Sequence, residues 1–202
     1  MSIPFRRIEE IELIQATGSA GAIGFDRQTG ILRSLVHGKT GIDLCKEIRA
    51  NQLGQIGGVR VWDDLEKRWW DDLQNPGAVR DVQQNGSKLS FVKTYDGCPF
   101  NVKHLIDLSG SRMRWDLEIS QTQTVNRGLR VCYQLPLVAG FRYFSACQNG
   151  RLNEDGETGE CIFDGSSLFN YMYHVGPYFN GSETTLPLIS VYDGGRDWGF
   201  QF

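Results

Sequence analysis

The sequence has no apolar run approaching the roughly 20 residues that cross a bilayer, and no block of charge of one sign. Nor does it contain a Cys-x-x-Cys pair, a glycine-rich phosphate loop or a Gly-x-Ser-x-Gly elbow. Each absence removes a class of function. Without a long apolar run there is no membrane-spanning helix, and the charged Met1 to Gln15 stretch does not read as a signal peptide, so a soluble chain in the cytoplasm is expected. Lys and Arg number 21 against 24 Asp and Glu, a formal net charge of -3, which supplies no basic field for nucleic acid. Only three histidines are present, His37, His104 and His174, and with the cysteines they show no ligand spacing, so no zinc site and no cofactor is expected. The cysteines, Cys45, Cys98, Cys132, Cys147 and Cys161, are odd in number and scattered, which favours reduced thiols over a disulfide framework.

What the chain does have is turn chemistry between short alternating runs. Asn85-Gly86, Asp96-Gly97, Asn149-Gly150, Asp155-Gly156, Asp164-Gly165, Asn180-Gly181 and Asp193-Gly194 supply the positive φ angles of tight hairpins. Asn85-Gly86-Ser87 and Asn180-Gly181-Ser182 also fit a glycosylation pattern, but Asn-Gly is a hairpin-turn signal, and with no signal peptide expected they read as turns. Apolar residues alternate with polar ones in Leu89, Phe91, Lys93 and Tyr95, in Val102, His104, Ile106 and Leu108, and in Met113, Trp115, Leu117 and Ile119. Val131, Tyr133, Leu135 and Leu137 repeat the pattern. This period of two predicts half-buried antiparallel strands. Only Arg6 to Ile14 and Asp43 to Leu53 are candidate short helices, and in the first Ile8, Ile11 and Glu12 fit either period. No linker or low-complexity tract divides the 202 residues, so a single all-β antiparallel sandwich over residues 1–202 is expected.

Two aromatic clusters are candidate sites. The near repeat Trp62-Asp63-Asp64-Leu65 and Trp70-Asp71-Asp72-Leu73 reads as two strands joined by a charged turn. Alternation puts Trp62 with Asp64 on one face and Trp70 with Asp72 on the corresponding face of the partner. Aromatic faces stack on the CH faces of sugars while carboxylates accept from their hydroxyls, so Trp62, Asp64, Trp69, Trp70 and Asp72 are candidate carbohydrate contacts. The competing reading is an amphipathic hairpin with its tryptophans packed inward. In the second cluster, Tyr171 to Phe179, candidates are Tyr171, Tyr173 and His174, against a packing role for the histidine. The acidic run Asn153 to Glu157 lacks the ligand spacing of a calcium loop and reads as a hairpin tip.

The segment Gly24-Phe25-Asp26-Arg27-Gln28-Thr29-Gly30-Ile31-Leu32-Arg33-Ser34-Leu35, followed by Gly38-Lys39-Thr40-Gly41, resembles the opening hairpin of a galactose-mutarotase-like supersandwich. Thr29-Gly30 would form its corner, with Ile31, Leu32 and Leu35 as core contacts. Gln134-Leu135-Pro136-Leu137 and Leu188 to Asp193 resemble strands of the N-terminal sandwiches that precede catalytic barrels in bacterial glycoside hydrolases. The resemblance implies a module packed beside a catalytic domain. The acid-base histidine and glutamate of the mutarotases do not align here, so no catalytic residue carries over. The expected function is a non-catalytic N-terminal domain that supports or rims the carbohydrate site of a C-terminal catalytic domain. A free-standing carbohydrate-binding module is the alternative, and an epimerase using His104 or His174 with a glutamate is a third. Leu186 to Tyr192, Asp193-Gly194-Gly195 and Trp198 to Phe202 read as strand, turn, strand. That last strand, with Trp198, Phe200 and Phe202 on one face, is expected to pack on the sandwich or to pair in a homodimer.

Overall fold

The structure, a computed structural model, describes residues 11–45, 58–71, 77–134, 142–147, 160–162, 184–193 and 198–201. The chain is all-β, every pairing between the described strands is antiparallel, and it divides into two compact units, Met1–Pro136 and Leu137–Phe202. No helix among the described residues is long and apolar enough to cross a membrane.

The first unit is a two-layer sandwich. One layer is a four-stranded sheet in the order β6(Ala78–Asn85), β7(Lys88–Thr94), β8(Phe100–Asp107), β9(Arg114–Gln121). The other layer holds two three-stranded sheets: β1(Leu13–Gly18), β2(Gly21–Asp26), β3(Leu32–His37), and β10(Leu129–Gln134), β4(Gly58–Asp63), β5(Arg68–Trp70), with β4 in the middle. Alternation decides which face of the four-stranded sheet is dry. The register aligns Leu89 with Ile106 and Trp115, Phe91 with His104 and Leu117, and Lys93 with Val102 and Ile119, so these residues share the inner face. Phe25 of β2 meets this face, its ring 5.1 Å from Phe91 and 5.2 Å from Trp115. Farther along, Trp70 of β5 packs on Phe100 and Tyr95, with Val59, Val61 and Val102 around them.

The opening hairpin forms as its sequence predicts. Asp26 Oδ1 accepts from the amides of Gln28 (2.8 Å) and Thr29 (3.1 Å), an Asx-type turn, and Gly30 closes it at a φ of 70°. Ile31, Leu32 and Leu35 are buried. Asn85-Gly86-Ser87 is likewise the β6–β7 turn, with Gly86 at a φ of 55° and Asn85 opposite Lys88. Within Arg6 to Ile14, Leu13 and Ile14 are extended in β1; most of Asp43 to Leu53 lies outside the described residues. Val131 and Tyr133 fall on the inner face, opposite Val61 and Val59, yet are 38% and 44% exposed, with β10 at the edge of its sheet among the described strands.

In the second unit a four-stranded sheet runs in the order β12(Glu160–Ile162), β11(Arg142–Cys147), β13(Thr184–Asp193), β14(Trp198–Gln201). The expected terminal strand pair is present: Val191 lies opposite Phe200 and Asp193 opposite Trp198. The turn signals from Asn149 to Asn180 and the acidic run Asn153 to Glu157 lie outside the described residues. Cys45, Cys98 and Cys132 carry no disulfide.

Candidate functional site

The Trp-Asp repeat folds as the hairpin β4–β5, joined by residues 64–67, but its register corrects the sequence reading. Trp62 lies opposite Trp69, and Val61 opposite Trp70. Trp62 and Trp70 therefore occupy opposite faces. The near-identical tetrapeptides do not superpose across the strands, because a one-residue offset exchanges the faces. Trp70, 2% exposed, is a core residue with no ring face left for a sugar.

Trp62, Trp69 and Asp64 do come together on the outer face. The two indoles sit 5.4 Å apart, tilted by 60°, and both are half-buried. Trp62 Nε1 donates to Asp64 Oδ1 at 2.7 Å, which fixes the ring and leaves an exposed carboxylate beside it. Arg60, two residues before Trp62 and on the same face, lays its guanidinium 3.7 Å from the Trp69 ring centroid and reaches Asp71 at 3.5 Å. Sequence reasoning missed Arg60. The period of two that grouped the tryptophans would have placed it there.

Beneath this patch the hairpin is anchored by a buried ion pair that has no motif in the sequence. Asp63 is fully buried, and Arg127 donates to its Oδ2. Asp63 Oδ1 accepts from the amides of Leu65 (2.9 Å) and Glu66 (3.1 Å), and Trp70 Nε1 reaches Oδ2 at 3.4 Å. Burial raises the Asp63 pKa, but these amides, the indole and the guanidinium outweigh it and hold the carboxyl below 3.8. A fully engaged, dry carboxylate is a strut for the hairpin and cannot serve as a general acid.

His104 is 1% exposed inside an aromatic box. Its ring stacks on Phe91 at 4.4 Å, and Phe25 meets it edge-on at 6.1 Å. Trp115 Nε1 donates to its Nδ1 at 3.2 Å, which puts the ring proton on Nε2, and Nε2 has no hydrogen-bond partner among the described residues. Burial, helped by the charge of Lys93, pushes the imidazole pKa well below 6.5. The ring's partner is an indole, not a carboxylate. This arrangement packs a core and has no route for proton transfer to a substrate.

Asp72, Tyr171, Tyr173 and His174 lie outside the described residues. Among the described residues no group of His, Cys, Asp and Glu could hold a metal ion. Compared with family models, with curated proteins and with solved structures, the chain matches none.

Proposed function

We propose that this chain is a non-catalytic β-sandwich module of a glycoside hydrolase, which supports or rims the carbohydrate site of a following catalytic domain. The observation that carries the reading is the outward Trp62–Trp69 pair, with Asp64 beside Trp62 and Arg60 stacked over the Trp69 ring. Half-buried indoles offer apolar area to sugar CH faces, and the flanking carboxylate and guanidinium supply an acceptor and donors for hydroxyls. The opening hairpin built on Thr29-Gly30 agrees with the supersandwich resemblance, and the packing of His104 speaks against an epimerase built on that histidine. The same tryptophan pair favours a second reading, a free-standing carbohydrate-binding module, distinguished by whether a catalytic domain follows in the gene.

The test uses the full chain against a panel of neutral oligosaccharides, reading tryptophan fluorescence, together with assays for glycoside hydrolysis and sugar mutarotation. We expect a fluorescence shift that weakens about tenfold in Trp62→Ala or Trp69→Ala, the loss of roughly one stacking contact, with no turnover. Turnover well above background, or no shift with any oligosaccharide, would overturn the proposal. Thermal melting of both variants separates lost binding from lost folding.

A further inference from the structure

The outer face of the β6–β9 sheet carries a second feature of different chemistry. A groove of about 540 Å3 runs across one end of it, lined by residues from all four strands. The register shows how it is built. Gln83, Ser90, Leu105 and Asp116 form one cross-strand row, and Asn85, Lys88, Asp107 and Arg114 form the next. All lie on the face opposite His104 and Phe91. A bulge in β6 between Arg80 and Gln83, with Asp81 at a φ of 55°, bends the strand next to the groove.

Charge decides what such a groove can hold. Among the described residues that line it, two cations and two anions are paired: Lys88 with Asp107 at 3.1 Å, and Arg114 with Asp116 at 2.6 Å. The described lining is therefore neutral. It offers no excess cation for a phosphate, an acidic peptide or a nucleic-acid backbone. Asp107 is held ionised, its carboxyl lowered to about 2 by the Ser109 hydroxyl and amide and by Lys88, so it remains a fixed acceptor across the working pH range. The amides of Gln83 and Asn85 and the Ser90 hydroxyl each donate and accept. Leu105 provides a small apolar floor between them.

From this geometry we infer that the groove is a binding site for a neutral oligosaccharide, separate from the Trp62–Trp69 patch. Alternating donors and acceptors around one apolar strip match a ligand with hydroxyl edges and CH faces, and internal charge pairing matches a ligand without charge. The site stands on its own lining and does not require the tryptophan patch to bind sugar.

The test follows the side-chain amide NMR signals of Gln83, Gln84 and Asn85 in the full chain while cellohexaose, maltohexaose, mannohexaose and xylohexaose are added singly, with oligogalacturonate as the anionic control. At least one neutral hexasaccharide is expected to shift these signals. The shift should depend only weakly on salt, and affinity should fall about tenfold in the surface double variant Gln83→Ala/Asn85→Ala, the loss of roughly one to two hydrogen bonds. The groove proposal is overturned if no neutral hexasaccharide moves the amide signals, or if oligogalacturonate binds there more tightly than every neutral probe. The fluorescence change that is lost in Trp62→Phe/Trp69→Phe reports the other patch, separating it from Trp115, which lies between the groove residues Arg114 and Asp116, so such a change with silent amides removes this inference alone. Silence in both removes the carbohydrate reading as well.

Discussion

At the scale of single residues, burial sets the chemistry of His104 and Cys98. His104 is held neutral in the folded chain, with its pKa well below the 6.5 that it regains on unfolding. The unfolded state therefore binds more protons as pH falls below 6.5, and stability contributed above that value is lost. We expect the unfolding free energy to fall between pH 6.5 and 5 with a slope of up to about 1.4 kcal/mol per pH unit from this residue. Denaturant melts in His104→Phe, which keeps the stack on Phe91, should flatten that slope; an unchanged slope would show that the ring is not the titrating group. Asp63 acts in a lower window, because its depressed carboxyl gives up stability only as pH falls below 3.8. Cys98 moves the other way: burial pushes its thiol up to about 11, with Asp63 and Glu66 adding to the effect. At pH 8 only about a thousandth of it would be thiolate, so iodoacetamide should label Cys98 far more slowly than a solvent-exposed thiol. Peptide mapping of a timed alkylation checks this, and labelling as fast as free cysteine would refute it.

Elements were legible wherever side chains alternate cleanly. Leu89, Phe91, Lys93 and Tyr95 announced β7 and its buried face, and all four are buried, the lysine included, with its ammonium 5.4 Å from the Tyr95 ring centroid. Register was not legible where two strands carry similar tetrapeptides. Nothing in Trp62-Asp63-Asp64 and Trp70-Asp71-Asp72 states which residue faces which, and the turn of residues 64–67, with Lys67 at a φ of 54°, fixes Trp62 against Trp69. The Asp63–Arg127 pair was hidden for the same reason, since only the fold brings residues 63 and 127 together. Replacing Asp63 by Ala takes the acceptor from the Leu65 and Glu66 amides and leaves the buried Arg127 guanidinium with only the partly exposed Glu66 carboxylate, 3.7 Å away, so we expect a loss of about 3 kcal/mol in chemical denaturation, the low end for a broken buried pair. A loss below about 1 kcal/mol would mean the pair is solvated. The opening hairpin offers a milder case. A Cβ at Gly30 would sit 2.9 Å from Val79 Cγ2 on a backbone at a φ of 70°, so Gly30→Ala should cost roughly 1–3 kcal/mol through strain and crowding.

For the whole molecule, composition and turn spacing announced an all-β chain with antiparallel sheets, but strand order did not follow from them. β10 pairs with β4 across the intervening β5 to β9, a long-range choice that hydrophobic alternation cannot encode because every half-buried strand presents the same pattern. Sheet edges are the feature at this scale with a measurable consequence. Among the described strands of the second unit β14 lies at the edge, paired to β13, and its sequence Trp198-Gly199-Phe200-Gln201 carries no charge to discourage a partner strand. Trp198 and Phe200 alternate with Gly199 and Gln201 and so share one face of the sheet. A strand from a second copy, laid along this edge by a two-fold axis, would pair β14 with itself and continue the sheet across the dimer. We expect sedimentation equilibrium of the full chain to reveal a concentration-dependent dimer, and Phe200→Lys to shift it toward monomer by placing a charge on the edge. Removing Trp198 to Phe202 should do the same while also lowering the melting temperature, since β13 keeps β11 but loses its pairing with β14. A monomeric mass for the unaltered chain at every concentration, or a dimer that survives both changes, would show that this edge does not mediate association.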